Sequence, residues 1–136
     1  MNNKEIVKYF YEVIVSENKL EDLSRFIAED CTLKTGEEVK PLGVKGMRQH
    51  LLSVKNTYPD YTMKIIRQYT DENYVISEFI MVGTHKGMFA GIKPTNKQLV
   101  FTGIDIDKVI DGKIAEHGGA TNTFETFIKN NLIRPV

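Results

Sequence analysis

Residues 82–122 read VGTHKGMFAGIKPTNKQLVFTGIDIDKVIDGKIAEHGGATN. Asp111-Gly112 near the middle is the dipeptide that suits a two-residue type I′ hairpin, in which both central residues take positive φ. The segments on either side, Gln98–Ile110 and Lys113–Thr121, alternate apolar and polar residues and read as two strands joined by that turn. A two-residue loop also sets the pairing. Asp107 should oppose Glu116, Asp105 should oppose Gly118, Gly103 should oppose Ala120 and Phe101 should oppose Asn122, all on one face. The other face then holds Val100, Thr102, Ile104, Ile106 and Ile110 with Ala115, His117, Gly119 and Thr121. Opposed carboxylates repel, so Asp107 and Glu116 are expected near solvent, sharing a proton or close to cations such as Lys108 and Lys113. An apolar row such as Ile104, Ile106 and Ile110 is an aggregation hazard when bare, which predicts a homodimer through this sheet face and puts His117 on the partner side.

Upstream, Tyr74 to His85 forms another long strand. Val75, Ser77, Phe79, Met81, Gly83 and His85 point one way, and Tyr74, Ile76, Glu78, Ile80 and Val82 point the other. Asp71-Glu72-Asn73 is a turn, and before it Tyr61, Met63 and Ile65 share a strand face. Before Tyr58-Pro59-Asp60 the period is helical. Ile6, Phe10, Val13 and Ile14 mark a first helix to about Ser16, and Leu20, Leu23, Phe26 and Ile27 mark a short second one. Val44, Met47, Leu51 and Val54 mark a third helix, with His50 on the edge of its stripe, where a structural or solvated role is expected. A brief strand, Cys31–Thr35, and a loop, Gly36–Gly43, lie between the second and third helices. Asn122–Leu132 fits a last helix with an Asn cap and Phe124, Phe127 and Ile128 inward. Helices followed by a run of antiparallel strands give an α+β class, with a curved sheet wrapped on a few helices in one domain over residues 1–136.

Composition removes several function classes. Lys plus Arg and Asp plus Glu are both 18, so the formal charge is zero and nothing predicts a nucleic-acid partner or an anionic membrane. The lone Cys31 has no internal disulfide partner and reads as a small buried hydrophobe. The N-terminal apolar residues are interrupted by Lys4, Glu5, Lys8 and Glu12, and no apolar run is long enough to span a bilayer. A soluble cytoplasmic protein is the expectation.

Gly83-Thr84-His85-Lys86-Gly87-Met88-Phe89, Gly91, Pro94-Thr95, Gly103-Ile104-Asp105-Ile106 and Asp111-Gly112-Lys113-Ile114-Ala115-Glu116-His117, with Tyr58-Pro59-Asp60 ahead of them, resemble the SnoaL-like polyketide cyclases over nearly the whole chain. The resemblance implies an NTF2-like cone, a strongly bent antiparallel sheet with three or four helices closing a pocket, usually dimeric. It also implies acid/base chemistry on an apolar carbonyl compound with neither metal nor organic cofactor. Such cyclases place Trp after Glu-His and an acidic residue four positions later, where this chain has Gly118 and Asn122.

One expected function is therefore proton transfer α to a carbonyl, of cyclase or isomerase type. In it His85 is the acid/base, Asp105 orients it or serves as base, and Asn122 donates to the oxyanion. Phe79, Met81 and Phe101 would line the pocket, with Gly118 enlarging it. The other is a non-catalytic small-molecule-binding or scaffold protein of the same fold, favoured by Asn122 in the acid's place.

Overall fold

The computed structural model describes residues 1–136. Its elements are α1 (Asn3–Tyr9), a π-helical turn (Phe10–Val15), a 3₁₀ turn (Leu20–Asp22), α2 (Leu23–Phe26), β1 (Ile27–Thr35), β2 (Glu38–Pro41), α3 (Gly43–Thr57), β3 (Thr62–Asp71), β4 (Tyr74–Thr84), β5 (Gln98–Ile110), β6 (Lys113–Thr121) and α4 (Thr123–Lys129). The six strands form one curled, unclosed sheet in the order β2-β1-β6-β5-β4-β3. All neighbours are antiparallel except β1 and β6, which run parallel. The class is α+β, as read from the sequence. No helix is long and apolar enough to cross a membrane.

Several elements differ from the sequence reading. The expected Gly36–Gly43 loop contains β2, because Gly36 at φ +62 turns the chain back and lets Glu38–Pro41 pair with Thr32–Thr35. The second helix ends at Phe26, and Ile27 begins β1. The first helix widens to a π turn at Phe10, so that Phe10, Tyr11, Ile14 and Val15 all face the core. This turn is tied to β3. Glu12 Oε2 accepts from Ile65 N–H at 2.9 Å, and Ser16 Oγ accepts from Met63 N–H at 2.8 Å.

The Asp111-Gly112 turn forms as predicted, with φ of +49 and +78. The first two pairs, Ile110 with Lys113 and Val109 with Ile114, keep the two-residue register. A bulge then intervenes. Lys108 pairs with Glu116, so Ala115 is the extra residue and the rest of β6 is shifted by one. Two forces favour this arrangement. Val109 and Ile114 are both buried, each side chain contributing about 2 kcal/mol, which fixes the inner end of the hairpin. Past the bulge, the like-charged opposition of Asp107 and Glu116 gives way to two complementary pairs, Asp107 with His117 and Lys108 with Glu116.

Candidate active site

A cavity of about 350 Å³ lies between the inner face of the sheet, α3 and the π turn. Met47, Leu51 and Val54 of α3, Tyr61 and Met63 near the start of β3, and Phe79 and Met81 of β4 supply its apolar wall. Its polar floor comes from the shifted hairpin. Asp105 opposes Gly119 and Asp107 opposes His117, so all three polar side chains are directed to the inner face.

At the centre of the floor is Asp107, which is wholly buried. Its Oδ1 accepts from His117 Nδ1 at 2.7 Å, and its Oδ2 accepts from the Tyr11 hydroxyl at 2.7 Å. Tyr11 Oη also lies 3.2 Å from His117 Nδ1. The π turn brings Tyr11 there with its ring stacked on Phe10. Because Nδ1 is held by Asp107, His117 presents Nε2 to the cavity that it lines.

These contacts decide the charge states. Burial pulls the His117 imidazole toward neutrality, but Asp107, by charge and hydrogen bond, and Asp105 outweigh it, and its pKa rises from 6.5 to about 9. His117 is therefore an imidazolium at neutral pH. Burial pushes the Asp105 carboxyl from 3.8 to about 6; the His117 charge and the Tyr11 hydroxyl oppose the rise, and Asp107 adds to it. Tyr11 is held well above its ordinary 10.0, chiefly by burial, and stays a neutral donor. His50 lines the cavity from α3, its ring 6.4 Å from that of His117, and burial followed by the His117 charge lowers its pKa.

Gly119 makes room for the floor. A Cβ there would sit 2.0 Å from Asp105 Oδ1 and 2.4 Å from the Ile104 carbonyl oxygen, so only glycine fits beside that carboxylate. Gly118 is closed in by the Lys34 carbonyl oxygen, 2.5 Å from where its Cβ would be.

Of the residues expected at the site, Asp105, Phe79, Met81 and Gly118 line the cavity. His85 does not lie in it. The inner side of Gly83 is filled by Tyr58 and Tyr61, and beyond this aromatic layer His85 is fully buried, its Nδ1 3.0 Å from Thr95 Oγ1. It anchors the connection after β4, where its backbone carbonyl accepts from Asn96 N–H. Phe101 belongs to the core, packed edge-on against Tyr58 and Phe127. Asn122 is turned away by the bulge: its Oδ1 accepts from Thr102 N–H at 2.8 Å, and Thr121 lines the cavity in its stead. The same bulge corrects His117, which faces the cavity rather than the outer side of the sheet, and Asp107, which is buried beside it rather than near solvent. Tyr11, Asp107, His117 and, from α3, His50, which was expected to be structural or solvated, are thus polar groups that sequence reasoning left out of the site. Cys31 is buried as expected, and burial raises its thiol to about 12.

Comparison with known proteins gives a consistent frame. The family model of SnoaL-like polyketide cyclase matches residues 5–127. Among solved structures, IdmH, a candidate polyketide cyclase from Streptomyces antibioticus, superposes with a TM-score of 0.82 at 20% identity, covering 96% of this chain and 99% of that one. A SnoaL-like polyketide cyclase from Agrobacterium tumefaciens gives a TM-score of 0.82 at 15% identity, covering 98% of this chain and 99% of the other. AclR, a candidate hydroxylase from Streptomyces galilaeus, gives 0.83 at 16% identity, covering 98% and 87%. At these identities the likeness is one of fold, the NTF2-like cone. No curated protein matches the chain.

Proposed function

The chain belongs to the SnoaL-like polyketide cyclase family, and we propose that it is an acid/base enzyme that moves a proton α to the carbonyl of a small apolar compound. The observation that carries this reading is the floor geometry: an imidazolium fixed through Nδ1 by buried Asp107, beside Asp105 with its raised carboxyl pKa, at the base of an apolar cavity. Two titratable groups whose environments separate their protonation states are what enolisation requires. The Asp105 carboxylate takes the α-proton, the C–H electron pair becomes the enolate, and Nε2–H of His117 donates to the developing oxyanion. Asp105 then returns the proton to carbon. Tyr11 and Asp107 hold the imidazolium in place. Asp105 thereby acts as the base, one of the two roles expected of it and the acid/base role expected of His85, and His117 takes the oxyanion role expected of Asn122.

The test uses 2-methyl-1-tetralone, a bicyclic ketone with one exchangeable α-hydrogen, in D₂O. NMR should show loss of that hydrogen faster with protein than in buffer alone. Replacing the base in Asp105→Asn should slow the protein-dependent rate by about 10²-fold or more. No acceleration by the wild-type protein, or full activity in Asp105→Asn, would refute the assignment.

We also propose that the protein is a homodimer through the outer face of the sheet. Val100, Ile104, Ile106 and Ile110 of β5 are 52, 47, 45 and 42% exposed and form one apolar row, which supports burial against a second copy.

A further inference from the structure

We propose that His50 is a second catalytic acid/base of the pocket, working from the helical wall against Asp105 on the sheet wall, so that a proton removed from one face of a substrate carbon is replaced on the other. This rests on the enolisation chemistry above and adds its stereochemical course. His50 lines the same cavity, is exposed, and its imidazole makes no hydrogen bond or ion pair in the fold. Its neighbours on α3, Met47 and Leu51, are buried and hold the helix so that His50 stands where a ligand would pass. The two imidazoles, with ring centres 6.4 Å apart, bound the polar part of the cavity from different elements. Their titrations also diverge: desolvation at the cavity wall, and after it the His117 charge, lowers the His50 pKa, whereas that of His117 is raised.

The step balances without a further reagent. For one enantiomer of an α-substituted ketone, the Asp105 carboxylate takes the α-proton, and the C–H pair becomes an enolate held by His117. His50, protonated from water, gives that proton to the opposite face of the same carbon and returns to neutrality, while Asp105 releases its own to water. For the mirror enantiomer, neutral His50 takes the proton and Asp105 in its acid form supplies the replacement. One C–H bond breaks and one forms.

Resolved (R)- and (S)-2-methyl-1-tetralone in D₂O separate this from single-base chemistry. NMR reads exchange of the α-hydrogen, and chiral chromatography reads inversion. Wild-type protein should exchange with inversion, and His50→Gln should keep exchanging one enantiomer with retention, its ratio of inversion to exchange falling by roughly tenfold or more. Exchange with retention in the wild type, or an unchanged ratio in His50→Gln, would overturn the role of His50 and leave enolisation by Asp105 standing. Absence of any protein-dependent exchange would overturn both. Since His50 is exposed and unbonded, the Gln variant should fold as the parent does.

Discussion

Asp107→Asn removes one negative charge from the centre of the pocket floor while almost preserving shape. The bonds at stake are those to His117 Nδ1 and to the Tyr11 hydroxyl, each 2.7 Å. A His117 pKa of about 9 in place of 6.5 means that the folded protein holds this proton tighter than the unfolded chain by about 3 kcal/mol. Because the folded value is the higher one, that stabilisation is complete below pH 6.5 and disappears as pH rises through 9. In the variant, burial is left opposed only by Asp105, and the His117 midpoint should fall well below its wild-type value of about 9. Heteronuclear NMR of the histidine imidazoles across pH 5 to 10 reads the midpoint directly. Urea unfolding at pH 6.5 and pH 9.5 reads the linked stability: the wild type should lose up to about 3 kcal/mol between them, and Asp107→Asn should lose little or none. A His117 midpoint that stays near 9 without the Asp107 charge would refute the electrostatic account of the site.

Asp105→Asn should be more stable than the wild type above pH 6, by about 3 kcal/mol, even as it loses exchange activity: a carboxyl raised to about 6 costs the fold stability as pH climbs from 3.8 through that value, and an amide does not ionise. Thermal unfolding at pH 5 and pH 8 checks this, with no gain at pH 8 as the contrary result. Gly119→Ala should cost more than about 2 kcal/mol and displace the Asp105 carboxylate, because no Cβ fits between it and the Ile104 carbonyl; denaturant unfolding would show the loss. His85→Ala should cost about 2–4 kcal/mol as a cavity in the core, yet leave the His117 titration where it is. Ile106→Glu should shift the mass seen by light scattering from dimer to monomer, and a wild type that is monomeric at high concentration would count against the proposed interface.

The succession of long strands from β3 to β6, the hairpin turn and the inner faces of β4 and β5 were legible because alternation and Asp111-Gly112 report directly on backbone geometry. The polar floor of the cavity was less so. A bulge needs no glycine or proline to announce it, and Lys113-Ile114-Ala115-Glu116-His117 has neither. The available signal was electrostatic: the simple register set Asp107 against Glu116, and the register that forms removes the conflict. Tyr11 escaped notice for a related reason. It flanks the stripe of a regular helix, and only the wider π turn brings it inward together with Phe10. His85 shares its strand face with Phe79 and Met81, but alternation along β4 carries no information about Tyr58 and Tyr61, which come from other parts of the chain to divide that face.

The extra residue in β6 also bears on how such a pocket could change over time. Side-chain direction beyond position 115 is a matter of phase. Were Ala115 paired in the ladder instead of bulged out, Glu116 would oppose Asp107, Asn122 would oppose Phe101 on the inner face, and His117 would turn outward. Deleting Ala115, by contrast, would leave Glu116 opposite Lys108 and His117 opposite Asp107. A switch between bulged and unbulged pairing would exchange an imidazole for a carboxylate at the floor and alter the rim in the same event, with every residue of the chain unchanged. Substitutions near this turn that favour or disfavour the bulge, more than those within the cavity, offer the short route between different chemistries on one scaffold.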